Sequence, residues 1–376
     1  MQTHPKLSLI QHFQHLPDPR VARAPEHPLI DILVIAVCTL LCGGEGFNDM
    51  EDFGEAKHDW LKTFLDLPKG IPSHDTFNRV FQALDPASFL ECFVRWTQSL
   101  RAAVSEEIVA LDGKALRRAL AAGQSAPVLV SAWARENGLV LGQLQVSAKS
   151  NEITAVPELL RALELTGCIV TLDAMGCQKN IAKEIKEADA EYVLALKGNH
   201  QTVHEEVKSY LDDALQRQAQ ELVSHETVEK DHGRLETRTY WQSADLDWFA
   251  DRAKWEGLQS VGVVEARRQV GSGPVTVERR YYLSSLGLDA ARLARAVRGH
   301  WSVENQCHWL LDVQMGEDQS RVRAGHAAHN LGTLRRLALN LLKREKTKKR
   351  GIKGKQKNAG WDHAYLLKPC LSGCHT

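Results

Sequence analysis

Apolar residues recur at helical spacing over 29–42, 60–67 and 76–100, so the first hundred residues read as a set of helices. The most apolar run, LIDILVIAVCTLLC from Leu29 to Cys42, contains Asp31. It falls short of the roughly 20 residues a bilayer span needs and predicts a buried helix. Turn signals interrupt the pattern at Pro68, Lys69 and Gly70, and again at Ile71, Pro72 and Ser73. Ser73 is a suitable N-cap, after which Phe77, Val80, Phe81 and Leu84 share one face. That element is either the reading helix of a helix-turn-helix or an ordinary capped helix. The acidic balance of the segment favours the second.

From residue 108 the pattern changes. IVALDGK is a short apolar run ending on an acid, and residues 127–147 hold two β-branched-rich runs around Arg135, Glu136, Asn137 and Gly138, which predicts a hairpin. A helical stretch from Ala155 to Leu165 leads to a strand, GCIVTLDAMG, then a helix, NIAKEIKEADA, and another strand, YVLALKGN. A long polar helix runs through Leu211. This order argues a mixed α/β sheet with helices on its faces. Residues 222–285 read as β-strands, and helices resume at Asp289 and continue to about 345. The basic tail, KREKTKKRGIKGKQK over 343–357, is expected to be mobile without a partner.

Composition changes this picture in two ways. The 376 residues are 43% apolar and 25% charged, which fits a folded chain of two or three domains. The eight cysteines form no CxxC pair or regular framework, so reduced thiols in a cytoplasmic protein are expected, as is the absence of a membrane partner. The start, MQTHPKLSLIQHF, lacks the layout of a signal peptide. Net charge is zero, yet residues 1–107 carry 9 Lys and Arg against 15 Asp and Glu, while residues 286–357 carry 16 against 6. Basic charge on that scale attracts a polyanion, nucleic acid first among them.

Candidate chemistry gathers on carboxylates. Asp112 ends the strand IVALD and Asp173 ends or follows CIVTLD, and ligand sites in open α/β sheets collect at the carboxyl ends of strands. Two carboxylates converging there repel unless a cation lies between them or one holds a proton, and hard oxygen ligands suit Mg²⁺ or Mn²⁺. A third acid comes from HWSVENQCHW, residues 300–309. If 289–315 is one helix, His300 and His308 lie about 12 Å apart along its axis, which rules out a shared small ion. Val303, Cys307, Leu310 and Leu311 then form an apolar stripe with Glu304 and His308 at its edge. Asp312, Glu317 and Asp318 are rival third acids. Lys114 and Lys197, just beyond two strands, are candidate phosphate holders. His232, Arg234 and Arg238 either grip DNA or decorate a hairpin. Trp301 and Trp309 are expected to pack against the sheet rather than stack on a base.

The blocks VALDGK, VTLDAMGCQ, LALKGNH, EKDHGRLETR and RGHWSVENQCHWLLDV, in this order, resemble the signature blocks of bacterial insertion-sequence transposases with a DDE triad. The likeness is to the H-repeat-associated branch and extends over roughly residues 8–367. It implies Asp112, Asp173 and Glu304 as the catalytic, metal-binding acids, with two Mg²⁺ ions (or Mn²⁺) per site. It also implies a fold similar to ribonuclease H, divided as a helical N-terminal domain (1–105), a core (106–221), a β-rich insertion (222–285), a core completion (286–345) and a basic helical tail (346–376). The implied activity is cleavage of double-stranded DNA at element ends followed by strand transfer, by a homodimer on DNA in the cytoplasm or at the nucleoid. The alternatives are a silent DNA-binding relative and a metal-dependent nuclease without strand transfer. Related transposases carry a Tyr-x2-Arg-x3-Glu-x6-Lys pattern around the glutamate, whereas Val297, His300 and Leu311 occupy those places here. His300, Asn305 and His308 are therefore taken as candidates for the missing DNA contacts.

Overall fold

The computed structural model describes residues 8–20, 25–119, 126–146, 152–231 and 233–371. Six helices come first: α1 (Ser8–Phe13), α2 (Leu29–Leu41), α3 (Phe47–Ala56), α4 (His58–Leu61), α5 (His74–Ala83) and α6 (Pro86–Leu100). Strands β1 (Ile108–Ala115), β2 (Val128–Ala134) and β3 (Leu139–Gln145) follow, then α7 (Glu152–Ala162), β4 (Ile169–Leu172), α8 (Lys179–Glu187), β5 (Glu191–Leu196) and α9 (Gln201–Gln216). Four strands come next, β6 (Val223–Asp231), β7 (Arg234–Ser243), β8 (Ser260–Val270) and β9 (Thr276–Ser284). The chain closes with α10 (Ala290–His300), α11 (Ala327–Arg344), α12 (Ile352–Trp361) and α13 (His363–Leu371). It divides into two compact units, each assembled from separated stretches.

The sheet unit comprises Val104–Asp112 and Ser150–Val303. β1 pairs with β4 in parallel, from Ile108↔Ile169 to Leu111↔Leu172, and β4 pairs with β5 in parallel. Both inner strands are continuous apolar runs, as a parallel sheet covered on both faces requires. β5 then pairs antiparallel with β9, and β8, β7 and β6 extend the sheet as a meander. The β-rich segment expected over 222–285 thus continues the same sheet. Helix α10 covers it through Leu293, Ala294, Ala296 and Val297, packed on Ile169, Val193, Tyr240, Val264 and Tyr282.

The helical unit comprises Met1–Ala103, Gly113–Lys149 and Glu304–Thr376. Its axis is α11, buried nearly all round, as befits a helix without a polar face. Two of its buried polar residues serve backbone groups of neighbouring elements. Asn330 donates to the carbonyls of Phe81 and Leu84, and Asn340 exchanges two hydrogen bonds with Val140 on β3. The β2–β3 hairpin has the expected turn, with Gly138 at φ +64°. In α5, Ser73 caps Thr76, and Phe77, Val80 and Phe81 are buried.

Three expectations are corrected here. Residues 289–315 are not one helix, because α10 stops at His300 and the Ser302 hydroxyl donates to the Gly299 carbonyl, giving that group a partner outside the ladder. Two wide π-helical turns follow, Glu304–His308 and Leu310–Gln314. The strand holding Asp112 does not end there, since β1 runs on to Ala115; what ends at Leu111 is the pairing with β4. The basic tail is folded. Lys355 donates to the carbonyls of Leu342 (2.7 Å) and Glu345 (2.5 Å), closing the end of α11. Tyr365 donates to Glu345 at 2.7 Å, and Gln356 donates to Leu40 on α2. Among the described residues no helix is long and apolar enough to cross a membrane.

Candidate active site

Strand register in the sheet unit brings two of the expected acids together. Leu111 and Leu172 are paired in parallel, so Asp112 and Asp173 are the next residues out on adjacent strands, which lie about 4.8 Å apart. Both are partly exposed. Beyond Asp173 the backbone turns sharply into a single 3₁₀ turn, Ala174–Gly176, and the Asp173 carboxylate accepts from the Met175 amide at 3.0 Å. Only glycine fits at 176, where a Cβ would lie 2.3 Å from the Leu172 side chain. Asn199 beyond β5 donates to the Ala174 carbonyl, tying the loop after β5 to the loop after β4. Lys197, at the start of that loop, is exposed. Hard carboxylate oxygens on neighbouring strands suit a divalent cation, which relieves their repulsion.

The chain returns toward the same strands through α10. Its last residue, His300, places Nδ1 3.1 Å from Thr171 Oγ1 on β4, two residues before Asp173. Val303 is the final residue of the sheet unit, and Glu304 follows it directly. Glu304 is exposed, with a carboxylate oxygen 3.6 Å from Nδ1 of the buried His308. Asn305 is exposed on the same wide turn. Both tryptophans depart from expectation, since Trp301 and Trp309 are 43% and 49% exposed. The Arg280 guanidinium lies over the Trp301 ring, 4.8 Å from its centre.

Several predicted DNA contacts are occupied within the protein. Lys114 is corrected outright: its side chain is 8% exposed, with Asp312 at 2.6 Å, Asp318 at 3.0 Å and Glu317 at 3.3 Å. Burial opposes its charge, but the three acids more than offset that and hold the ammonium above its ordinary value. The rival third acids are therefore partners of Lys114. Glu317 also accepts from Arg336 at 2.7 Å. Burial pushes the Glu317 carboxyl up, yet Arg336, Lys114 and Arg335 outweigh it and bring it down to about 2. Arg238 pairs with Glu229 and Glu236, and Arg298 shares Glu229. Arg234 stands 3.7 Å from Glu236 and is partly exposed. His232 lies outside the described residues. Sequence reasoning missed the Lys114 clasp; its signal was the adjacent Arg335 and Arg336 inside the leucine-rich run LGTLRRLALNLL.

Residues 105–341 match the family model described as "Transposase DDE domain", and residues 10–97 match one described as "DDE_Tnp_1-associated". The chain is 39% identical to "Putative transposase YncI" of Escherichia coli O157:H7, over 98% of this chain and 95% of that one. It is also 39% identical to "H repeat-associated putative transposase YhhI" of Escherichia coli strain K12, over 95% and 96%. A solved piggyBac transposase synaptic complex aligns at 10% identity and a TM-score of 0.41, covering 97% of this chain and 77% of that one, a likeness too slight to argue from.

Proposed function

The chain belongs to the transposases with a DDE domain, and from that premise we propose that it cuts double-stranded DNA at the ends of an insertion sequence and joins them to a target. The observation that carries this reading is the placement of Asp112 and Asp173 as next neighbours beyond the paired ends of β1 and β4. We assign Glu304 as the third acid, because the chain reaches it one residue after a segment anchored on β4 by His300. Asp312, Glu317 and Asp318 are the weaker choices, being engaged by Lys114.

In this reading the core is similar to ribonuclease H, and Asp112, Asp173 and Glu304 would hold two divalent ions, Mg²⁺ or Mn²⁺. When bound, such ions activate water and stabilise the leaving oxygen of a phosphodiester. The protein's own groups do the rest. Asp112 and Asp173 set a local negative charge that divalent cations would offset before a phosphodiester approaches them. Lys197, exposed beyond β5, offers an ammonium to a backbone phosphate, and the Asn199 bond to Ala174 fixes its loop beside Asp173. The His308 imidazole stands 3.6 Å from the Glu304 carboxylate. Cleavage frees a 3′-hydroxyl at the element end, and that hydroxyl attacks target DNA. Bringing two ends together calls for a homodimer on DNA.

The test is cleavage of DNA carrying the element's own ends with Mg²⁺, comparing the wild type with Asp112→Ala, Asp173→Ala, Glu304→Ala and Asp312→Ala. The expected outcome is three inactive variants, with Asp312→Ala retaining cleavage. A Glu304→Ala protein that cuts normally while Asp312→Ala is dead moves the third acid. Cleavage that survives thorough chelation removes the metal from the mechanism.

A further inference from the structure

Residues 343–361 carry nine Lys and Arg against one acid, Glu345. That acid is turned inward: it accepts from Thr347 and Tyr365. Burial works against its charge, but these bonds hold it at about 2. Six of the cations face the other way. Lys346, Lys348, Lys349 and Arg350 are exposed on the segment before α12, and Lys353 and Lys357 are exposed on α12. Lys353, Lys357 and Trp361 follow at four-residue intervals and share one helix face. Trp361 is 76% exposed, so its ring is available to a partner.

At the start of α12, on the side of Ile352 and Lys355, lies a cavity of about 570 Å³, lined by Lys343, Arg344, Lys346, Arg350 and Lys355 around Gly351. Helix α12 begins at its edge with no side chain capping the first amides, which leaves N–H groups suited to an anion. Arg344 Nε is buried there without a hydrogen-bond partner. Burial pushes the Lys343 ammonium down to about 8, a penalty that an anion beside it removes.

We propose that this C-terminal face is a DNA-binding surface separate from the acids, holding duplex backbone along α12 with one phosphate seated in the cavity. It rests on the reading of the chain as one that handles DNA. The ten residues of α12 span about 15 Å, a length over which a duplex presents about nine charges. A line of cations matches that spacing of phosphates, whereas the small ion that would fill the cavity alone has no use for Lys353 and Lys357. An anionic membrane is the poorer fit, because a single tryptophan gives little apolar area to insert.

Binding of the intact chain to a 30-base-pair duplex of arbitrary sequence tests this, by fluorescence anisotropy in EDTA over a salt series. Chelation silences cleavage, so failure of the catalytic reading leaves this readout untouched. The triple variant Arg350→Gln, Lys353→Gln, Lys357→Gln is expected to bind at least tenfold more weakly near 100 mM salt, with the log–log salt slope reduced by roughly 2–3. Trp361→Ala is expected to weaken binding about fivefold with the slope unchanged. A control triple elsewhere, Lys62→Gln, Lys183→Gln, Lys254→Gln, is expected to stay within about twofold. The proposal is overturned if the C-terminal triple keeps the wild-type slope or the control loses as much. Phosphatidylserine vesicles that bind as tightly as DNA through the same residues overturn it as well, by making the face a membrane site.

Discussion

The two units each gather carboxylates, and they treat them in opposite ways. In the helical unit Asp312, Glu317 and Asp318 converge on Lys114, and Glu317 meets Arg336, with Glu317, Lys114 and Arg336 all buried. In the sheet unit Asp112 and Asp173 sit partly exposed at neighbouring strand positions, beyond the last paired residues. A carboxylate bound to a fixed internal cation is a structural part, with its charge already used. A carboxylate partly exposed beyond the last paired residues stays accessible to something that arrives. Sequence alone gives both groups the same letters.

The largest effect expected from breaking this contrast falls on the sheet unit. Asp112→Ala or Asp173→Ala is expected to reduce cleavage of element-end DNA by a factor on the order of 10³ or more, since losing several kcal/mol of charge stabilisation costs that much rate. The same variants are expected to melt within about 2 °C of the wild type by circular dichroism, because neither side chain is buried. A variant that loses activity and melts much earlier instead makes these acids structural.

The reverse pattern is expected for Glu317→Gln. Removing this charge leaves Arg336, fully buried, and Lys114 without their main partner. Breaking a buried pair costs about 3–5 kcal/mol, to be read as a lower urea midpoint. Asp312→Ala, whose side chain is 27% exposed, is expected to cost about 1 kcal/mol. Equal costs at the two positions contradict the view that burial of the Glu317 pair dominates the clasp.

Much of this contrast was already legible along the chain. Asp112 and Asp173 announce themselves because IVALD and CIVTLD are apolar runs that stop on an aspartate. The β-rich segment and the Ser73 cap are local patterns of the same kind, set by neighbours in sequence. The Lys114 clasp joins residues about 200 positions apart, so no window of sequence contains it. The break after His300 escaped because the pattern of Val303, Cys307 and Leu311 continues across it, and wide turns preserve an apolar stripe as a regular helix does. The fold of the tail escaped for a related reason. Its charge dominates the local reading, while Lys355 and Gln356, which dock it, act on backbone carbonyls of distant helices.

Acidification sharpens the comparison further. Folded Glu317 keeps its charge down to about pH 2, whereas its ordinary value is 4.5. The unfolded chain therefore binds more protons in between, and the contribution, present in full above about pH 5, is lost as pH falls toward 2. The difference is worth about 3 kcal/mol. His329 on α11 adds to the loss at higher pH: burial lowers it from 6.5 to about 4, so the unfolded chain takes up that proton first as pH falls. Asp31, raised to about 6 by burial, acts in the opposite sense between about pH 6 and 4 and offsets much of the His329 effect. The steepest loss is thus expected below pH 4.5. Hydrogen exchange is expected to show α11 amides losing protection there before those of β7 and β8, and uniform loss across both units at the same pH contradicts it.

The smallest effect concerns Lys197, the exposed cation that follows β5. Its side chain is exposed, so Lys197→Ala is expected to leave the melting temperature alone. One phosphate contact is worth a salt slope of about 0.9, which predicts a loss of severalfold in apparent affinity for the cleavage substrate and little change in the rate at saturation. Lys114→Ala is the informative companion. Its ammonium is enclosed by three acids, so the change is expected to act through folding, lowering the urea midpoint and leaving the salt slope of DNA binding as it was. If Lys114→Ala lowers the slope and Lys197→Ala does not, the two lysines have been assigned the wrong way round.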